Sequence, residues 1–153
     1  MPETIAIASD HAGFDLKQLL VEELARLGFA ALDLGTHDRQ SVDYPDFADA
    51  LAGALGDGRA ERGVLICGTG IGISIAANRH RHIRSAVCHD TTSARLARQH
   101  NHANALALGA RLIGTEVARD CLATFLATAY EGGRHDRRVA KMSWPEMTKE
   151  RNP

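Results

Sequence analysis

The feature that most constrains this chain is a regular alternation of two kinds of segment. Short β-branched and apolar runs fall at residues 4–8, 29–34, 63–67, 84–88 and 105–108. Segments with helical spacing lie between and after them, at 14–27, 44–55, 70–78, 91–100 and 115–129, with a further helical tail from about Arg134. In the first helix Leu16, Leu19, Leu20, Leu24 and Leu27 share a face, and Gly28 follows as a stop. Pro45 suits the first turn of the second helix. Strands that are apolar on both faces and separated by helices belong to a parallel sheet covered on both sides. The fold expected is α/β: a single-domain, Rossmann-like αβα sandwich over residues 1–153, with a five-stranded parallel sheet and a C-terminal helix. In such folds ligands bind beyond the carboxyl ends of the strands.

Three polar sets fall at that rim. Asp10-His11 follows the first strand, residues 67–72 (CGTGIG) follow the third, and His89-Asp90 follows the fourth. The glycine loop is the most informative. Gly68, Gly70 and Gly72 let main chain approach a ligand closely. The next helix turns its free N–H groups toward the same space. Such a loop stabilises negative charge, on a phosphate or on an oxyanion formed during reaction. The plainer alternative is a tight turn that only packs helix on strand.

Cys67 stands where the strand ends and this loop begins. Thiols beside helix N-termini ionise more readily than free cysteine, which suits a nucleophile or a base. The alternative is a small buried hydrophobe, and that reading suits Cys88 and Cys121. A dinucleotide loop fits less well. Gly68-x-Gly70 begins the fingerprint, but Ile73 occupies the place of the third glycine, although Asp90 lies at a suitable distance for a ribose contact.

A net charge of -1 provides no general field for nucleic acid or anionic membranes, so any bound anion is held by local groups. The run containing His80 and His82 reads as a solvated basic loop without interleaved aromatics. His100 and His102 are too close in sequence to share a helix face. No HExxH motif or Cys/His cluster occurs, so no metal is expected. Arg134 and Arg138 are four apart and share a face; two guanidinium forks suit a phosphate dianion, and an exposed basic face explains the spacing equally well. No apolar run reaches the length of a membrane span, and three scattered cysteines fit a reducing compartment, so a cytoplasmic location is expected.

Taken together, SDHAG at 9–13, DYP at 43–45, ICGTGIGISIAAN at 66–78, SARLARQHN at 93–101 and YEGGRHDRRV at 130–139 resemble ribose-5-phosphate isomerase type B. The resemblance runs over residues 5–142. It implies a cofactor-free homodimer, sometimes a tetramer, whose active sites use residues from both chains. The reaction implied is the interconversion of ribose 5-phosphate and ribulose 5-phosphate through a cis-enediolate. Cys67 matches the base that moves a proton between C2 and C1, and His100 the group that opens the furanose ring. Asp10, His11 and Asn101 match substrate contacts, Asp10 being counted with the catalytic set. Gly68, Thr69, Gly70, Ile71 and Gly72 match the enediolate-binding segment, with Thr69 assisting proton transfer between oxygens. Arg111, Arg134 and Arg138, with His11, match the phosphate site.

Two positions depart from the family pattern. Thr92 replaces a usual aromatic and His102 a usual aspartate, both expected near His100. Galactose-6-phosphate isomerase subunits share the glycine loop but generally lack the ring-opening histidine, so His100 favours the ribose-type enzyme. Isomerases of allose 6-phosphate or of four-carbon sugar phosphates, and a non-catalytic sugar-phosphate or nucleotide sensor on the same scaffold, are the alternatives.

Overall fold

Five consecutive buried residues in β1 (Thr4–Ser9) and again in β3 (Arg62–Cys67) demand cover on both faces of the sheet. The computed structural model, which describes residues 1–143, supplies it. β1 is followed by a 3-10 turn (His11–Gly13), α1 (Phe14–Arg26), β2 (Ala30–Asp33) and α2 (Tyr44–Gly56). β3, α3 (Ile71–Asn78), β4 (Ser85–Val87), α4 (Thr91–Asn101), β5 (Ala105–Gly109), α5 (Thr115–Ala127) and α6 (His135–Met142) complete the order. The sheet runs β2-β1-β3-β5-β4, and every pair is parallel. The expected α/β sandwich is therefore present, with element ends displaced by a residue or two. The part of the expected C-terminal tail beyond Ser143 lies outside the described residues.

The two faces differ in bulk. Ile5, Ile7, Val64, Ile66, Leu106 and Leu108 pack beneath α1, α4 and α5. Ala6, Ala8, Leu65, Cys67, Ala105 and Ala107 face α2 and α3. Smaller side chains on the second face bring those helices close: a Cβ at Gly63 would stand 2.7 Å from Leu51 Cδ1. Cys67 belongs to this close-packed face, at its carboxyl end.

Lys17 is the largest departure from sequence expectation. Its side chain is fully buried, and Nζ donates to both carboxylate oxygens of Asp33, at 2.8 and 2.7 Å, and to Gln18 Oε1 at 3.0 Å. The pair ties α1 to the end of edge strand β2. Removing one partner of such a pair costs about 3–5 kcal/mol, because the other charge is left without compensation.

Candidate active site

Cys67 ends β3 beside Gly109 of β5. The chain then turns through Gly70, whose φ of 77° is left-handed, into α3. A Cβ at Gly70 would also lie 2.9 Å from the Leu108 carbonyl carbon. Gly70 N–H donates to Cys67 Sγ at 3.1 Å, and Ile71 N–H donates to Thr69 Oγ1 at 3.2 Å. The other first-turn amides of α3 are the groups available to an anion.

Although Cys67 is only 4 % exposed, it lines an open cleft of about 420 Å³. That size suits a small ligand. Asp10, His11, Tyr44, Gly68, Thr69, Ile71, Gly72 and Arg111 share the lining. The Asp10 carboxylate accepts from Gly13 N–H at 3.1 Å, which holds it at the end of β1. His11 Nδ1 accepts from Val42 N–H at 3.1 Å. That bond makes Nδ1 the acceptor, so the neutral ring carries its proton on Nε2. Arg111 N–H donates to Gly68 O at 2.9 Å, latching the loop after β5 to the glycine loop. Tyr44 is a member of this cleft that sequence reading placed at the start of a helix and within the DYP motif, without naming it as a site residue. Its signal is Gly72, where a Cβ would stand 2.6 Å from the Tyr44 ring.

The remaining predicted residues lie elsewhere. His100 and Asn101 occupy the last turn of α4, and β5 then starts at Ala105 beside Gly63 and Ser85, near the first positions of β3 and β4. That turn is therefore at the amino-terminal edge of the sheet. β3 separates the two edges by six residues, about 20 Å. Arg134 caps α6 and Arg138 lies within it, against α4. None of His100, Asn101, Arg134 and Arg138 lines the Cys67 cleft. The predicted site is thus divided between opposite ends of one chain. Thr92 also departs from expectation: it is in the first turn of α4, about 12 Å along the helix from His100.

At the far edge the rings pair. His100 stacks on His135 with centroids 4.4 Å apart, and His102 on Tyr130 at 4.3 Å. Tyr130 Oη donates to Asp136 Oδ1 at 2.7 Å, and this bond pushes the phenol up to about 12. Burial, followed by Arg84 and Arg98, holds His102 below its ordinary value. Glu131 Oε2 lies 3.4 Å from His135 Nε2. Among the described residues, His100, Glu131 and His135 form the one group whose ligand atoms suit a metal ion.

Other expectations resolve simply. Burial pushes the Cys121 thiol up to about 11 and raises Cys88, so both are inert core residues. The Asp90 carboxylate accepts from Ser93 N–H at 2.6 Å as the cap of α4, which leaves it poorly placed for a ribose. His80 and His82 are not simply solvated: they bond Asp49 and the Ala52 carbonyl of α2, each at 2.7 Å. No described helix is long and apolar enough to cross a membrane.

Comparison with known proteins places these features in context. A family model described as Ribose/Galactose Isomerase matches residues 5–142. Ribose-5-phosphate isomerase B of Escherichia coli is 47% identical over 88% of this chain and 91% of its own length. The solved ribose 5-phosphate isomerase of Thermotoga maritima is 50% identical, with a TM-score of 0.90 over 92% of this chain and 97% of that one. D-erythrulose-4-phosphate isomerase of Pectobacterium atrosepticum is 42% identical over 94% of this chain and 95% of its own length.

Proposed function

The chain belongs to the ribose/galactose isomerase family and is a sugar-phosphate isomerase, and we propose that its reaction interconverts ribose 5-phosphate and ribulose 5-phosphate within a homodimer. The observation that carries the chemistry is Cys67, whose sulfur sits at a cleft floor and accepts a main-chain N–H at the start of α3. In this reading the Cys67 thiolate takes the proton from C2 of the open-chain aldose. The C2–H pair forms the C1=C2 double bond of the enediolate as the C1=O1 π bond breaks, so charge develops on O1. The amides of the 68–72 segment not already bonded to Cys67 Sγ or Thr69 Oγ1 hold that charge, and the Thr69 hydroxyl assists proton movement between O2 and O1. Cys67 then returns its proton to C1, giving the ketose.

The other half of the site comes from a second copy. His100 of that copy opens the furanose ring, and its Asn101 contacts the sugar beside Asp10. Its Arg134 and Arg138 join Arg111 and His11 around the phosphate. The division of the predicted residues between opposite sheet edges supports this reading. So does an exposed apolar stripe beside the cleft: Ile71 is 50% and Ile75 62% exposed, four residues apart on α3. Three free cysteines suit a reducing, cytoplasmic setting.

The test mixes purified protein with ribose 5-phosphate in EDTA and follows ketose formation, with light scattering for the oligomer. Turnover by a dimer is expected. Tight binding without turnover of any sugar phosphate would favour a sensor. The Pectobacterium relative, named for a four-carbon substrate, gives a second reading. A larger kcat/KM for erythrulose 4-phosphate than for ribose 5-phosphate would select it.

A further inference from the structure

Beside His100, the far edge of the sheet gathers two donor groups, Glu131 and His135, that isomerisation leaves unassigned. His135 opens α6 and is 5% exposed, yet its Nε2 has no hydrogen-bond partner among the described residues. Buried polar atoms are normally satisfied, so an orphan of this kind calls for a partner. The nitrogen faces Glu131 Oε2 at 3.4 Å and lies in the stack with His100. One donor atom from each of His100, Glu131 and His135 falls within 4.8 Å of the other two. Main chain holds the group together. Glu131 N–H donates to the Gln99 carbonyl at 3.1 Å, next to His100. Gly132 and Gly133, left-handed at φ 67° and 58°, then turn the chain into α6.

We propose that His100, Glu131 and His135 form a site for a borderline divalent cation, best matched by Zn²⁺. Two imidazoles and a carboxylate suit zinc and leave one tetrahedral position for water. Hard cations such as Mg²⁺ and Ca²⁺ prefer oxygen donors. Zinc bonds of about 2.0–2.1 Å place neighbouring donors roughly 3.3 Å apart, so the three atoms must draw in. The two rings, inclined by 16° to each other, turn about their Cβ–Cγ bonds to converge. Glu131 is exposed and follows without repacking the core. Arg134 and Arg138 oppose a cation nearby, which makes the site one that loads and unloads. Its consequence rests on the ring-opening role proposed for His100: zinc occupies the lone pair of the coordinated ring nitrogen, which can then neither accept nor return a proton, so zinc slows turnover of cyclic sugar phosphates.

The test titrates the EDTA-treated full chain with ZnCl₂ by calorimetry and with CoCl₂ by visible spectroscopy. One ion per chain, a tetrahedral cobalt spectrum and no response to MgCl₂ are expected. Glu131→Gln and His135→Asn weaken zinc binding at least about 10- to 100-fold. Cys67→Ser, which removes the thiol of the cleft, leaves it unchanged. If His135→Asn does not fold, Glu131→Gln carries the test, since Glu131 is exposed. No uptake by the parent chain, or equal affinity in the folded variants, overturns the site. Zinc that binds through these residues without slowing ribose 5-phosphate turnover supports the site and overturns ring opening by His100. An active enzyme that takes up no zinc overturns the site and leaves the isomerase reading intact.

Discussion

At the carboxyl end of the sheet, chemistry is presented largely by main chain: the amides after Cys67, the Gly70 contact to sulfur and the Val42 amide that sets His11. At the opposite edge it is presented by side chains stacked in pairs, His100 on His135 and His102 on Tyr130. The first region is built around the ends of β1, β3 and β5, with main-chain bonds from Val42 and Arg111 closing it. The second is assembled from α4, the segment 130–134 and α6, so its geometry depends on packing. A site that joins the two needs a second copy to bring them face to face.

The sharpest way to break this division is Cys67→Ala. Loss of the positioned base should lower kcat by on the order of 10²–10⁴, with the circular-dichroism spectrum and phosphate-analogue binding retained. Retained activity would move the base elsewhere. His100→Asn comes next: turnover of cyclic ribose 5-phosphate should fall by about 10², while an acyclic analogue is little affected. Equal slowing of both would remove ring opening from the far edge.

Gly70→Ala probes the main chain of the first region. A left-handed φ costs a side-chain residue about 1–3 kcal/mol, and the close Leu108 carbonyl adds to it. Denaturant melts should register the loss. The equivalent change at Gly132, where a Cβ meets nothing nearer than 3.8 Å, should cost less.

Tyr130→Phe gives the smallest effect and tests the second region. The Tyr130 phenol is raised from 10.0 to about 12 by its bond to Asp136. Its contribution is therefore fully present below pH 10 and lost as pH climbs toward 12. Melting temperatures of the parent should fall more steeply across that window than those of the variant. Parallel curves would show that the ring stack, not the hydrogen bond, holds the segment.

These differences also explain what could be read from sequence. The alternation of apolar strands and leucine-spaced helices located all five strands, because periodicity reports burial directly. β2 came out shorter than residues 29–34: Phe29 and Leu34 fall outside it, although Leu34 N–H still reaches the Ile7 carbonyl at 2.9 Å. Lys17 was invisible, because a lysine on a helix reads as exposed and Asp33 lies on another element. In the cleft, glycine spacing exposed the main-chain constraint, whereas Tyr44 was missed because its contact to Gly72 is tertiary. At the far edge the spacing of Arg134 and Arg138 was legible, but the pairing of His100 with His135 was not. His100 and His135 sit on different helices, and only the fold stacks them.

The proposed division of labour between copies is tested most directly by subunit mixing. Cys67→Ala and His100→Asn chains, each expected to retain about one per cent of parental activity or less on ribose 5-phosphate, are unfolded together in equal amounts, refolded and assayed. If each site joins the Cys67 cleft of one copy to the His100 group of another, half the dimers are mixed and each regains one intact site, restoring roughly one quarter of parental activity. If mixed dimers form and no activity returns, the two halves do not meet across copies.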